Sequence, residues 1–437
     1  MDKILSLIKE EEKRQKDTLM MIPSENYTYP DVRKAVGSVL MHKYSEGYPK
    51  RRYYQGNEIV DQIEILCQER ALSLFNLNPK DWSVNVQALS GTPANLAIMN
   101  ALLEQGDTIL SMYLYDGGHL SHGWSYKGKK ITLSSKIWNI EFYYVDPKTG
   151  VFDYEKIEKV AKKVKPKLIV SGGTAYPREI DHQKLGKIAK SVGAYYLADV
   201  SHEAGLIAAG ANKSPFKYAD VVMATTHKTL RGPRGALIFS RSKLAEKIDS
   251  SVFPGTQGGP HNEIIAGIAV ALKNAKSKEF KKYAAQVVVN AKALARELSD
   301  LGFTIISDGT EKHLILIDMR PFELNGWFVG HALETAGIIV NRSTIPSDPA
   351  SPYYPSGIRL GTPAITARGM KEKEMKKIAV WIASVVNHLE KVQIPEDKDE
   401  RKTILKEFKS KVKSDKFLLG IAKEVKTLCS KFPVDLS

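Results

Sequence analysis

Between about Ser83 and Arg241, short apolar runs alternate with amphipathic segments, and this alternation limits the possible folds more than any other feature of the sequence. The apolar runs are rich in Val, Ile, Leu and Tyr, and they are WSVNVQAL, DTILSMYLY, PKLIVSGG, AYYLADV, DVVMATT and GALIFS. The segments with helical spacing between them include PANLAIMNALLEQG, YEKIEKVAKKV and QKLGKIAKSV. Buried strands separated by helices are typical of a mainly parallel sheet that is covered by helices on both faces. We therefore predict an α/β domain.

The remaining sequence predicts a second, smaller domain, because a chain of 437 residues is too long for one ordinary core. A helical run from about Asn262 to Leu301 leads to the strand patterns GFTIIS and HLILIDMR and then to further helices, which is typical of an α+β domain. The charged stretch IPEDKDERKT is expected to form a surface loop before a last helix around FKSKVKSDKFLLGIAKEVKTLCSKF. We expect an N-terminal helical arm at residues 1–24, a large domain at residues 25–280 and a small C-terminal domain at residues 281–437.

The chain is basic, with 64 Lys and Arg against 49 Asp and Glu and a net charge of +15. Such a balance favours contact with polyanions, including nucleic acid. The basic residues are, however, spread along helical segments such as EKIEKVAKKVKPK without interleaved aromatic residues, which is typical of solvated helix faces. We predict a function that requires no nucleic acid.

The termini and the cysteines predict a cytoplasmic protein without a membrane partner. The first 18 residues form an amphipathic pattern with too few consecutive apolar residues for a signal peptide. No segment approaches the ~20 apolar residues of a membrane span. The two cysteines, Cys67 and Cys429, have neither metal-ligand spacing nor the pattern of a disulfide framework, so we predict no metal site.

Polar residues directly after the predicted strands are the candidates for chemistry, because ligands of open parallel sheets bind beyond the carboxyl ends of the strands. In VQALSGTPANLA, Ser90, Gly91 and Thr92 lie between a strand and a helix and offer hydroxyl and N–H groups to an anion. An ordinary Ser or Thr helix cap would produce the same pattern.

Two further strand ends carry an acid and an amine. Asp199 and His202 follow the strand AYYLADV, and Lys228 lies beside His227 at the end of DVVMATT. A capping or ion-paired carboxylate and a solvated lysine are the structural alternatives. Together with the anion site, however, these groups are what pyridoxal phosphate requires: a phosphate anchor, a partner for the pyridinium nitrogen and an amine for a Schiff base.

Other segments supply candidate partners for the cofactor and its substrate. His119 and His122 in DGGHLSHG follow another strand, and a flat imidazole could stack on a pyridine ring. Arg359 in SGIRLGTPAIT could hold an α-carboxylate by two parallel hydrogen bonds, whereas the alternative is a surface ion pair.

The stretch HKYSEGYPKRRYYQGNE is too irregular for a helix face and too aromatic for an ordinary solvent loop. Within it, Glu46 is a candidate proton-transfer group, and Tyr44 and Tyr54 are candidate hydroxyl donors. The glycine-rich stretch FPGTQGGP either cradles a phosphate or turns the chain.

These segments together resemble the serine hydroxymethyltransferases, a family of fold-type-I pyridoxal phosphate enzymes. The resemblance runs in order over most of the chain through MIPSENYTYPDVR, HKYSEGYPKRRYYQGNE, VQALSGTPANLA, DGGHLSHG, ADVSHEAGLIAAG, TTHKTLRGPRGAL, FPGTQGGP and SGIRLGTPAITARG. It implies reversible, pyridoxal phosphate-dependent transfer of the serine hydroxymethyl group to tetrahydrofolate or another reduced pterin, with glycine as the product.

The resemblance also implies a role for each candidate residue. Lys228 would carry the cofactor, Asp199 would pair with its ring nitrogen and His119 would stack on its ring. Further cofactor contacts would come from Ser90, Gly91, Thr92, Thr174, His202, Thr225 and His227. Substrate contacts would come from Ser24, Tyr54 and Arg359. Catalytic groups besides Lys228 and His119 would be Glu46, Tyr44 and Tyr54.

The resemblance further implies that active sites are shared between subunits. Tyr44 and Tyr54 would act in the neighbouring subunit, and Gly258 with Gly259 would reach a neighbour's phosphate, so a homodimer or homotetramer is expected. Ser343 stands where bacterial members commonly carry an asparagine that contacts the pterin. A pterin-independent aldolase acting on threonine-like 3-hydroxy amino acids is the nearer alternative, and a basic RNA-associated protein with a vestigial site is the more distant one.

Overall fold

A seven-stranded sheet forms the centre of the larger part of the protein. The structure is a computed structural model that describes residues 2–436. The strands in spatial order are Trp82–Asn85, Ala236–Arg241, Val221–Thr225, Tyr195–Asp199, Leu168–Ser171, Thr108–Met112 and Asn139–Tyr143. All neighbours pair in parallel except Ala236–Arg241, which is antiparallel to the strands on both sides. The predicted mainly parallel sheet is thus confirmed.

Helices cover both faces of this sheet, as its apolar strands require. They are Pro30–Val36, Glu58–Leu74, Gly91–Leu102, Leu133–Ile137, Tyr154–Val164, His182–Ser191, Ala204–Ala208, Ala245–Ser250 and Asn262–Ala275. Two of the predicted helices begin at side-chain caps: Asp153 accepts from the N–H groups of Glu155 and Lys156, and Asp181 accepts from that of Lys184. These caps fix where each helix leaves its preceding loop.

A four-stranded antiparallel sheet organises the smaller part. Its strands in spatial order are Thr304–Ile305, Leu314–Asp318, Gly357–Gly361 and Asn341–Ser343. The helices around it are Gly326–Thr335, Pro363–Ala367, Glu372–His388, Lys398–Lys413 and Lys416–Lys431. Ile315, Ile358 and Trp381 belong to its buried core, which is separate from the cores of the large sheet.

The helical run predicted from Asn262 to Leu301 consists of two helices, Asn262–Ala275 and Lys278–Asp300. Ser277 starts the second one by accepting a hydrogen bond from the N–H of Phe280. Its first half packs into the core of the large sheet and its second half into the core of the small sheet. The proposed division between residues 280 and 281 falls inside this helix and stays a prediction.

The prediction of a loop over IPEDKDERKT was wrong from Lys398 onward. Asp397 accepts hydrogen bonds from the N–H groups of Asp399 and Glu400 and starts the helix Lys398–Lys413. The expected last helix is interrupted at Ser414, because Asp415 caps a new helix, Lys416–Lys431. The exposed face of a helix can be as rich in charged residues as a loop. Composition therefore did not distinguish the two, which explains the error.

At the N-terminus, the expected amphipathic helix forms over Lys3–Asp17. Leu19–Met20 then pairs in parallel with Ile338–Ile339 of the smaller part. The predicted boundary after residue 24 stays a prediction. Within residues 2–436, no helix is both long enough and apolar enough to cross a membrane.

Candidate active site

A cavity of about 600 Å³ lies where the parallel strands of the large sheet end. Asp199 and Thr225, the last residues of two neighbouring strands, line it. Arg359 and Asn341 reach it from strands of the smaller sheet. The cavity is therefore built by both parts of the chain, at the sheet edge where ligands of α/β proteins bind.

The predicted anion site forms one wall of this cavity. Ser90, Gly91 and Thr92 line it at the start of the helix Gly91–Leu102, where backbone N–H groups and the helix dipole favour an anion. Ser90 makes no side-chain cap hydrogen bond, so the alternative of an ordinary helix cap fails here. A Cβ at Gly91 would lie 2.7 Å from Thr225 Cγ2, so only glycine lets the helix start this close to the strand end.

Asp199 is buried and held by three donors. Its Oδ2 lies 2.9 Å from His122 Nε2 and accepts from Asn95 Nδ2 at 3.0 Å, and its Oδ1 accepts from the Ser201 N–H at 3.0 Å. Burial is the largest single effect on Asp199 and opposes ionisation. The hydrogen bond and charge of His122, the charge of His119 and the hydrogen bond from Ser201 together exceed it, so the pKa of Asp199 lies well below its usual range. An ionised carboxylate facing the cavity is suited to a protonated ring nitrogen.

Sequence reasoning missed the residues that hold Asp199. The sequence pattern predicts only a stacking role for His122, and it predicts no role for Ser201. The signal for Asn95 was an amide in the otherwise apolar run ANLAIM, at a position that is fully buried. For His122, no signal in the sequence indicates a contact between residues 77 positions apart.

Lys228 is buried and lines the cavity from the turn after the strand Val221–Thr225. Within residues 2–436, no group accepts a hydrogen bond from its Nζ. Burial lowers the pKa of Lys228 to about 8, an effect that the negative charge of Asp199 partly offsets and the positive charge of Arg359 reinforces. A partly deprotonated amine without a protein partner is a nucleophile available to a carbonyl group.

Besides His122, three histidines border the same cavity. His119 lies 2.7 Å from Ser121 Oγ through its Nδ1, and burial lowers the pKa of His119 to about 4. His202 lies against His313, and His227 has a buried Nδ1 without a hydrogen-bond partner among the described residues. Burial lowers the pKa of His227 to about 3, so these rings are neutral near pH 7.

Three further predicted site residues, Thr174, Thr225 and Ser24, also line the cavity. Thr174 Oγ1 donates to the carbonyl of Gly118 at 3.1 Å, and Thr225 Oγ1 donates to the carbonyl of Ser201 at 3.3 Å. Ser24 lines the cavity beside them.

Arg359 is buried and oriented by two acceptors. Its Nε donates to Asn341 Oδ1 at 3.0 Å, and its Nη1 donates to the carbonyl oxygen of Thr174. Burial lowers the pKa of Arg359 to about 10, which leaves the guanidinium charged at neutral pH. The surface ion pair considered from the sequence is excluded among the described residues, since no carboxylate there pairs with it. The unpaired Nη2 leaves capacity for a carboxylate in the cavity.

Five predicted site residues form a separate cluster that does not line this cavity. Tyr44 and Tyr54 contact each other with ring centroids 5.1 Å apart and are 55% and 44% exposed. A Cβ at Gly258 would lie 3.3 Å from Glu46 Oε1, and one at Gly259 would lie 3.0 Å from the Tyr44 ring. Within one chain, Glu46, both tyrosines and both glycines are thus grouped together but kept away from Lys228.

The groups in the cavity fit pyridoxal phosphate. The hydroxyls of Ser90 and Thr92 have no partner in residues 2–436, and they stand at a helix N-terminus that suits a phosphate. An unpartnered amine, an ionised carboxylate and a buried guanidinium face the same space. This donor set matches an anionic aldehyde with a basic ring nitrogen and a carboxylate substrate.

Comparison with known proteins agrees with this geometry. The sequence model of the family described as serine hydroxymethyltransferase matches residues 1–382. A serine hydroxymethyltransferase of Caenorhabditis elegans is 44% identical over 99% of this chain and 87% of its own length. A cytosolic one of Aspergillus fumigatus is 45% identical over 99% and 94%, and a mitochondrial one of Eremothecium gossypii is 45% identical over 98% and 89%. The chain therefore belongs to the serine hydroxymethyltransferase family, whose members are fold-type-I, pyridoxal phosphate-dependent enzymes that use tetrahydrofolate as co-substrate.

Proposed function

We propose that this chain catalyses the reversible transfer of the serine hydroxymethyl group to tetrahydrofolate, giving glycine and methylene-tetrahydrofolate, and that the cavity residues described above carry out the reaction. The observation that carries the proposal is the convergence of Lys228, Asp199, Arg359 and an anion site in one cavity. Bound pyridoxal phosphate would supply an electron sink for the pair released when the bond from Cα to the hydroxymethyl carbon breaks.

The chain's own residues bind and orient the reactants. Ser90, Gly91 and Thr92 would hold the phosphate, and Lys228 would hold the cofactor covalently through Nζ. Asp199 would keep a proton on the ring nitrogen, since its neighbours, His122 foremost among them, favour the ionised carboxylate. Arg359 would bind the serine carboxylate, which sets the Cα substituents relative to the ring.

Contacts from other side chains of the cavity would complete the cofactor pocket. His119 would stack on the ring, and Thr174, His202, Thr225 and His227 would border it. Ser24 would meet the substrate. All of these residues line the cavity, which supports the assignment.

The active unit is proposed to be at least a homodimer. Glu46, Tyr44 and Tyr54 lie outside the cavity of their own chain, and both tyrosines are substantially exposed. A second copy of the chain would bring them to the cavity, where Glu46 would move a proton at the hydroxymethyl oxygen and Tyr54 would contact the substrate. Gly258 and Gly259 lie beside these side chains and would approach the same phosphate.

We also propose a cytoplasmic location. Several relatives are labelled cytosolic, among them those of Aspergillus fumigatus and Saccharomyces cerevisiae, whereas that of Eremothecium gossypii is labelled mitochondrial. Cell fractionation with antibody detection tests the location.

Serine turnover with and without tetrahydrofolate tests the reaction. We expect formation of glycine and methylene-tetrahydrofolate, with serine cleavage far slower when the pterin is left out. Equal rates of serine cleavage in both conditions would favour the pterin-independent aldolase. Replacing tetrahydrofolate by tetrahydromethanopterin in the same assay identifies the carrier.

A further inference from the structure

Two consecutive residues of the large part meet two consecutive residues of the smaller part directly behind the cavity. His202 Nδ1 lies 3.1 Å from His313 Nε2, and the rings are stacked with an interplanar angle of 26° and centroids 5.3 Å apart. Next to them, Glu203 and Lys312 form an ion pair whose side chains are 7% and 2% exposed. This double contact fixes His313 against His202.

Both imidazoles are neutral. His202 and His313 are buried, and burial lowers the pKa of each well below its usual range. The positive charges of Lys228, Lys312 and Arg359 act in the same direction, and the Glu203 carboxylate is paired with Lys312. Each ring therefore carries one N–H group.

Only one proton occupies the hydrogen bond between the two rings, so two arrangements exist. In the first, His313 Nε2–H donates to His202 Nδ1, and His202 must carry its own proton on Nε2. In the second, His202 Nδ1–H donates to His313 Nε2, and His313 must carry its proton on Nδ1. That Nδ1 is buried and has no hydrogen-bond partner among the described residues.

The second arrangement leaves a buried N–H group without an acceptor, which is the rarer and costlier defect in proteins. In the first arrangement, His313 Nδ1 carries no proton, so no buried N–H group lacks an acceptor. The N–H group of His202 then lies on Nε2, the ring nitrogen that does not face His313. His202 lines the cavity, and its Nε2 has no partner within residues 2–436. The first arrangement thus converts His202 into a hydrogen-bond donor for a ligand.

We propose that His313 is a positioning residue that holds His202 in the tautomer protonated at Nε2, so that the cavity presents an N–H donor to an anionic ligand oxygen. The inference rests on the proposed function for the identity of that oxygen, the phenolic oxygen of the cofactor. A fixed donor stabilises the ionised form of this oxygen and lowers the pH at which the bound cofactor loses its proton.

Neutron diffraction from deuterated crystals of the cofactor-loaded full chain locates the protons directly. We expect deuterium on Nε2 of both His202 and His313, and none on either Nδ1. Deuterium on Nδ1 of either ring would overturn the proposal. The map involves no activity measurement, so a lack of transferase activity would count against the proposed function alone.

Two substitutions test the consequence in solution. His313→Met removes the donor, whereas His313→Gln is the matched control because its amide N–H replaces that of Nε2. In a pH titration of the visible absorbance of the bound cofactor, we expect the midpoint of His313→Met to rise by about one unit. The midpoint of His313→Gln should stay near that of the unmodified enzyme. Equal midpoints for Met and Gln would refute the inference, and if His313→Met does not fold, the neutron map decides.

Discussion

The hydrogen bond between His122 and Asp199 should contribute measurably to stability, because both partners are buried and one of them is charged. His122 is 1% exposed, and its Nε2 lies 2.9 Å from Asp199 Oδ2. A hydrogen bond to a charged group is worth about 1.5–3 kcal/mol. His122→Phe keeps a ring of similar size but removes the donor, so we expect the free energy of unfolding to fall by about this amount at pH 7.

A double-mutant cycle separates this hydrogen bond from packing effects. In an Asp199→Asn background, His122→Phe should cost only about 0.5–1.5 kcal/mol, because the neutral amide needs less stabilisation. The coupling between the two positions should therefore be about 1–1.5 kcal/mol. His122→Gln, which retains an N–H donor, is the control and should lose less stability than His122→Phe.

The measurement is urea-induced unfolding of the four proteins, and its pH dependence provides a second check. The folded-state pKa of Asp199 lies below its value of 3.8 in the absence of interactions. Its contribution is therefore complete above that pH and is lost as the pH falls below it. A coupling energy below about 0.5 kcal/mol at pH 7 would contradict the assignment of His122 as the main group that keeps Asp199 ionised.

Three further predictions concern the cavity and the proposed second subunit. Capture of pyridoxal phosphate by the cofactor-free protein should accelerate with rising pH with a midpoint near 8, the lowered pKa of Lys228, and stopped-flow absorbance measures it. A midpoint near 10 would contradict this, and Lys228→Ala should abolish the visible absorbance. Arg359→Lys should raise the KM for serine by about 10-fold or more with a smaller change in kcat, because an ammonium cannot form two parallel hydrogen bonds to a carboxylate; an unchanged KM would exclude Arg359 from carboxylate binding. Glu46→Gln and Lys228→Ala should each be inactive alone, but co-refolded equimolar mixtures should regain about a quarter of the activity, since one site in each mixed dimer is intact. No recovery would argue against shared active sites.

The sequence predicts the structure best where the neighbours of a residue along the chain determine its surroundings. The apolar runs predicted six of the seven strands of the large sheet, and the polar residues after them line the cavity as expected. The missed strand, Asn139–Tyr143, lies at the sheet edge, where it is largely accessible and less apolar. The break at Ser277 was missed because a capping serine between two helices does not interrupt the apolar periodicity.

Sequence patterns do not predict contacts between segments that are far apart in the chain. The support of Asp199 by His122 and Asn95 and the pairing of His202 with His313 each join segments separated by 77 to 111 residues. Such contacts depend on strand order and on how the two sheets meet. A single sequence contains all of these residues but does not show which of them are in contact.

The helix Lys278–Asp300 makes the two parts of the chain mechanically dependent on each other. At about 1.5 Å per residue its 23 residues span roughly 35 Å, so one continuous rod is embedded in both hydrophobic cores. If one core loosens, this helix loses part of its packing, and the other core is destabilised as a result. Heat or denaturant should therefore melt both parts in one cooperative event, and a cut at residue 280 should leave neither fragment able to fold alone.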